Sequence, residues 1–232
     1  MNVQRYARVA GVLFLISLVA GGFGEAYAPS KIIVSGNAAA TVANITNFNF
    51  LYRLGFAAFL TESLCDIALV LIFYALLRPV SRELSLLAAF FGLVGTAVFA
   101  VGELFYLAPT LLVGNSAYLT TFSTDQINAL VQLSFRFAAL AGMATTTYYG
   151  MSWLVRAYLI VRSGYLPKFL GVLMAAGGAG FVLRNFLLIL APAYAATWLL
   201  MLMIPGGLIL TFWLLVKGVD MSRWDERVKA AA

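Results

Sequence analysis

Of the 232 residues in this chain, 63% are hydrophobic, only 10% are charged, and the mean hydropathy is +0.96; soluble domains carry about a quarter charged residues, so a water-soluble fold is excluded. There is no histidine and a single cysteine, Cys65, which removes His-ligated haem, most zinc sites, His-dependent nucleophilic triads and an internal disulfide framework. The net charge of +6 is spread over several loops and not gathered on one patch, so nucleic acid is not an expected partner.

A helix needs about 20 apolar residues to cross a hydrocarbon core. Six runs meet this requirement: roughly 7–26, 51–77, 84–112, 129–161, 168–191 and 196–217. The alternating pattern of a transmembrane β-barrel is absent. The expected fold is therefore all-α: a polytopic membrane helical bundle of six transmembrane helices in a single domain over 1–232, with 218–232 a short cytoplasmic tail.

The first run, in MNVQRYARVAGVLFLISLVAGGFGEAYAPS, has a basic start, an apolar centre and an Ala26-Tyr27-Ala28 tail that also fits a secretory signal. We expect a retained first helix; cleavage would leave five helices and remove Glu25. The segment 28–50 is semi-polar, and its AAATVANI reads as a short interfacial helix. Asn44-Ile45-Thr46 matches a glycosylation sequon, a pattern short enough to arise by chance. The short connections 78–83 and 163–167 make their flanking helices antiparallel neighbours. Ser123 or Thr124 is the expected N-cap of the fourth helix, with Asp125 at its positive end. Gly164 suits a left-handed cap after that helix, and Pro167 suits the first turn of the fifth. Pro205-Gly206-Gly207 predicts a bend in the sixth, and Trp198 and Trp213 read as interfacial anchors near its two ends.

Basic residues mark one set of loops. Arg5 and Arg8 precede the first span, Arg78 and Arg82 follow the second, Arg156, Arg162 and Lys168 flank the turn after the fourth, and Lys217, Arg223, Arg227 and Lys229 follow the sixth. The alternate loops hold only Lys31. The positive-inside rule then places both termini in the cytoplasm. The tail DMSRWDERVKAAA is expected to lie on the anionic inner leaflet.

Several stretches resemble one family of bacterial membrane proteins, domain of unknown function four-three-eight-six. They are ARVAGVLFLISLVAGG, VSGNAAATVANI, YRLGFAAFLTESLCDIALVLIFYALLRPVSREL, YLIVRSGYLPKFLGVL and FWLLVKGVD, which cover nearly the whole chain in order. The resemblance implies a multi-pass, six-helix protein of the bacterial inner (plasma) membrane. It implies no activity. It also implies an acid at position 37 and another in the last helix, where this chain has Asn37 and PGGLILTFWLL, so no role is carried to those positions.

Ionisable groups at depth are the informative feature. FLTESLCDIALV puts Glu62 and Asp66 on one face of the second helix, since residues four apart project together. A charge at mid-membrane costs at least about 2.5–3.5 kcal/mol on insertion scales, so such groups face the protein interior or a wet cavity. With the topology above, Glu25, Arg53, Glu62, Asp66, Glu103, Arg136 and Arg184 occupy the outer half or the midplane, with Asn185 beside Arg184. Arg53 is out of phase with Glu62 and is expected to meet Glu25 or solvent; Arg136 and Arg184 are the expected partners of the acids. Two readings stay open. In one, these groups form buried ion pairs that fix helix register, as in a structural or accessory subunit. In the other, they line an outward-facing cavity that binds or transports a small anionic molecule or a lipid headgroup. A lipid-modifying enzyme using Glu62, Asp66 and Glu103 on a metal is a further alternative. No catalytic residue, cofactor or metal is assigned. The lipid bilayer is the expected partner, and the oligomeric state is left open.

Overall fold

The computed structural model describes residues 3–114 and 116–230. Six of its helices are long and apolar enough to cross a membrane: α1 (Val3–Ile32), α3 (Asn49–Leu77), α4 (Arg82–Leu112), α5 (Thr124–Ser163), α6 (Lys168–Leu190) and α7 (Trp198–Val216). Two shorter helices are α2 (Ala38–Asn47) and α8 (Met221–Ala230). No strand occurs among the described residues. The chain is thus an all-α, multi-pass membrane protein.

Capping residues explain several boundaries. Asn37 caps α2 by accepting from the Ala40 amide at 2.9 Å. Ser123 and Gln126 form a reciprocal capping box at the start of α5, with the Ser123 amide donating to Gln126 Oε1 at 2.8 Å. Gly164, with φ +79°, turns the chain after α5. Pro167 is the N-cap of α6, one position earlier than expected. In α7 the helix breaks at Leu202, immediately before the segment carrying Pro205. Within α1, the stretch Gly22–Tyr27 is a π-helical turn that carries the helix on to Ile32, past the end expected from hydropathy.

The chain divides into two compact units. The first comprises the N-terminal stretch to Leu15, Cys65–Thr96, and everything from Met143 onward. Its core is built on Phe73, Leu76, Leu77, Leu159, Ile160, Leu170, Met174, Leu210 and Leu214, all essentially solvent-free. Small residues let its backbones touch: a Cβ on Gly178 would lie 2.7 Å from the Gly150 carbonyl, one on Gly206 3.0 Å from the Leu173 carbonyl, and one on Gly180 would collide with the Leu199 carbonyl. The α8 helix is no free tail. Its Trp224 is buried, and Asp220 just before it bonds through its amide to the Tyr165 carbonyl at 3.1 Å.

The second unit comprises Ile16–Leu64 and Ala97–Gly142. Its core is aromatic: Tyr52, Phe59, Phe99 and Tyr106 pack with Ile32, Ile45 and Val131. The Phe59 ring meets Phe99 and Tyr106 edge-on at 5.9 and 5.0 Å, the offset geometry that ring quadrupoles favour. The buried Tyr52 hydroxyl donates to the Tyr106 carbonyl. Asn44, the sequon asparagine, donates its side-chain amide to the Ile32 carbonyl at 3.2 Å and ties α2 to the end of α1.

Candidate functional site

In the first unit, Asp66 of α3 meets a polar stripe on α5. Tyr149, Ser152 and Arg156 recur at i, i+3 and i+7 and so share one helical face. The Tyr149 hydroxyl donates to Asp66 Oδ2 at 2.6 Å and lies 2.9 Å from Thr96 Oγ1 of α4, where either oxygen can be the donor. Thr96 also reaches the Gly92 carbonyl at 3.0 Å. Ser152 Oγ donates to the Ala88 carbonyl at 2.7 Å.

Arg156 completes this cluster, and here the structure corrects the sequence reading. Arg156, expected among the basic residues flanking a loop, is buried at 6% exposure. Its guanidinium lies over the Phe73 ring, 4.9 Å from the centroid, within the fields of Asp66 and Tyr149. Burying an ion costs several kcal/mol, which the Asp66 charge and a cation–π contact of up to about 2 kcal/mol offset. Gly92 makes the room: a Cβ there would lie 2.7 Å from Val70 and 3.1 Å from Arg156 Nη2. Tyr149 and Arg156 were missed as site residues. The signal was available in Thr145, Tyr149, Ser152 and Arg156, a polar stripe at helical spacing along an apolar helix.

Asn185 anchors α6 to α5. It is 1% exposed, and its Nδ2 is shared among the Met143 carbonyl, Thr146 Oγ1 and Thr147 Oγ1 at 2.8–3.0 Å. Both threonines also bond back to Met143, as expected of hydroxyls inside a helix. Arg184 beside it is half-buried, and its Nε has no hydrogen-bond partner.

In the second unit, Glu62 of α3 packs its carboxylate against α1, where both oxygens lie 2.9 Å from the place a Gly21 Cβ would take. Glu103 is buried at 6% exposure, its Oε2 makes no hydrogen bond, and Glu25 is the charged group that acts on it. Arg136 does not supply the expected counter-charge. It is exposed, and it makes no ion pair with Glu103. Helix phase explains this, because the face of α5 that turns inward here carries Val131 and Ser134. Arg53 is exposed, the solvent-facing alternative expected for it, and donates to Asn49 Oδ1 at 2.8 Å on its own helix. Among the described residues, no three of His, Cys, Asp and Glu gather where they could hold a metal ion.

The described cavities lie elsewhere. One of about 410 Å³ is lined by Gln4, Arg5, Arg8, Val9, Val12 and Leu13. Another of about 340 Å³ is lined by Gly164, Leu166, Pro167, Lys168, Trp213, Asp220 and Arg223.

The sequence pattern of the family described as Domain of unknown function (DUF4386) matches residues 9–218. The chain belongs to this family. A relative from Archaeoglobus fulgidus, described as "Uncharacterized protein", is 26% identical over 157 residues, covering 68% of this chain and 79% of its own. No solved structure matches. Family membership brings no activity with it.

Proposed function

We propose that this chain is a non-enzymatic, structural or accessory subunit of the plasma membrane, with both termini cytoplasmic, and that its buried polar groups serve to lock helices together. The observation that carries this reading is the Asp66–Tyr149–Thr96 chain with Arg156 beneath it. Tyr149 ties Asp66 to Thr96 across α3, α4 and α5, Arg156 lies within the fields of Asp66 and Tyr149, and the Val70, Arg156 and Ser152 side chains fill the space beside Gly92.

The test uses a double-mutant cycle in detergent, reading the thermal midpoint. Asp66→Leu or Arg156→Met alone leaves an uncompensated buried charge and is expected to cost about 3–5 kcal/mol. The two together are expected to recover most of that loss, because both charges are then gone. Additive single effects would sink the locking role. Stable co-purification with a partner membrane protein is the expected companion result.

One observation favours a second reading, ligand binding in the outer half. Glu103 is buried with a carboxylate oxygen that lacks a hydrogen bond, and Glu25 acts on it. A buried acceptor left unmade costs about 1–3 kcal/mol, which a bound donor would return. The acids select a cationic or hydrogen-bond-donating ligand here, since Arg136 faces away. Native mass spectrometry of wild type beside Glu103→Gln decides it: a species lost only in the variant establishes the site, and an empty wild type removes it.

A further inference from the structure

The 340 Å³ cavity at the turn between α5 and α6 is assembled from three separate parts of the chain. Gly164, Leu166, Pro167 and Lys168 come from the turn, Trp213 from α7, and Asp220 and Arg223 from the start of α8. Its chemistry is two-sided. Leu166, Pro167 and Trp213 supply an apolar wall, and Trp213 is fixed by an edge-on contact with Phe169 at 5.7 Å and by donation from Nε1 to the Gly218 carbonyl at 3.1 Å. Lys168 and Arg223 supply two cations, both exposed to whatever enters. Arg223 is held in place by the Gly164 carbonyl at 3.2 Å and by Asp220 at 3.5 Å. A pinned guanidinium loses little freedom on binding a phosphate, and its fork matches two phosphate oxygens. The cavity also lies where a spanning helix ends: α5 stops at Ser163, α6 starts at Lys168 and α7 stops at Val216. Tryptophan at such a level belongs to the headgroup layer.

We propose that this cavity binds the phosphodiester headgroup of an anionic phospholipid, with Lys168 and Arg223 on the phosphate and Trp213 and Leu166 against the glycerol and upper acyl region. This site is independent of the buried network around Asp66. Asp220 opposes the ligand: it shares Arg223 and adds the one negative charge in the lining. Because a juxtamembrane cation adds about fivefold in affinity for an anionic surface, removing both cations is expected to lower retention by at least about tenfold.

The experiment is native mass spectrometry of the full chain released from nanodiscs of phosphatidylglycerol and phosphatidylcholine. Wild type is expected to retain phosphatidylglycerol in preference. Lys168→Gln/Arg223→Gln loses that preference, and Asp220→Asn strengthens it. Arg5→Gln/Arg8→Gln, which removes as many charges from the other described cavity, leaves it intact. Unfolding temperatures separate a lost site from a lost fold. Equal retention in wild type and the Lys168/Arg223 variant overturns the proposal, as does equal loss in the Arg5/Arg8 variant, which would mean diffuse charge attraction. Displacement of the retained lipid by millimolar inorganic phosphate, with no lipid preference left, overturns the lipid assignment in favour of a soluble phosphate.

Discussion

At the residue scale, the polar side chains in the first unit differ in what they would leave behind if removed. Tyr149→Phe strips the central hydroxyl from the Asp66–Tyr149–Thr96 chain and takes a donor away from the Asp66 carboxylate, for an expected loss of about 1–3 kcal/mol. Asn185→Leu removes bonds to Met143, Thr146 and Thr147 at once, but the threonines keep their own bonds to Met143. Its expected cost is similar and not threefold larger. Thermal midpoints in detergent check both, and a Tyr149→Phe variant as stable as wild type would show that Asp66 is held by other means. Asp220 behaves differently because it lies in water. Its carboxylate accepts from Ser222 Oγ at 2.7 Å and from the Arg223 amide, and these bonds hold its pKa below the ordinary value. The stability it lends the start of α8 is therefore complete above the ordinary carboxylate range and is lost only as pH falls through the lowered value. Trp224 fluorescence is expected to stay constant down to that point, and a change near neutrality would assign the docking to another group. Glu62, Asp66 and Glu103 were legible in the sequence because a carboxylate in an apolar run is conspicuous. Arg156 was not, because an arginine near a predicted helix end has two lives, one in water and one buried, and hydropathy cannot tell them apart. Burial depends on where α5 ends, and α5 runs two residues beyond the expected end.

At the element scale, the six spans were set by length and composition and came out close to their expected limits. The clearest departure is α1, which continues through a π-helical turn to Ile32. Pro29 is tolerated there because it sits in the first turn of the renewed helix, and Glu25 is exposed. Helix contacts were legible only as a surplus of glycine. The structure sorts those glycines by what stands opposite them. Gly180→Ala forces a methyl into the Leu199 carbonyl, a backbone atom that cannot rotate away, and is expected to cost more than the usual 1–3 kcal/mol of overpacking. Gly92→Ala meets Val70 and the end of Arg156, which can yield, and is expected to fall within that range. Gly142→Ala meets nothing within 4 Å and is expected to gain up to about 1 kcal/mol from helix propensity. Thermal midpoints in that order support the packing described; a neutral Gly180→Ala would contradict the close approach of α6 and α7.

At the scale of the whole chain, orientation follows from where charge is placed. Every lysine and arginine other than Lys31, Arg53 and Arg136 belongs to the first unit. Withdrawing Arg156 from the topology count does not erase the asymmetry. Arg162 and Lys168 still flank the α5–α6 turn, Arg78 and Arg82 flank the α3–α4 turn, and α8 carries Arg223, Arg227 and Lys229. The opposite connections hold Lys31 alone. Orientation by basic loops depends on residues within about 15–20 positions of a span end, and all of these qualify. Single-cysteine labelling in a Cys65→Ala background tests this directly, because Cys65 is buried and its removal alters little surface. Cysteines at Ser81 and Ser222 are expected to react with a membrane-impermeant maleimide only when the cytoplasmic face is open. Those at Ser35, Ser123 and Ala195 are expected to react on intact cells. If Ser81 and Ser35 react from the same side, α3 does not cross and the six-span reading fails. If every position labels from the opposite side, the spans stand, the chain is inverted, and the Lys168–Arg223 cavity faces the leaflet poorer in anionic lipid.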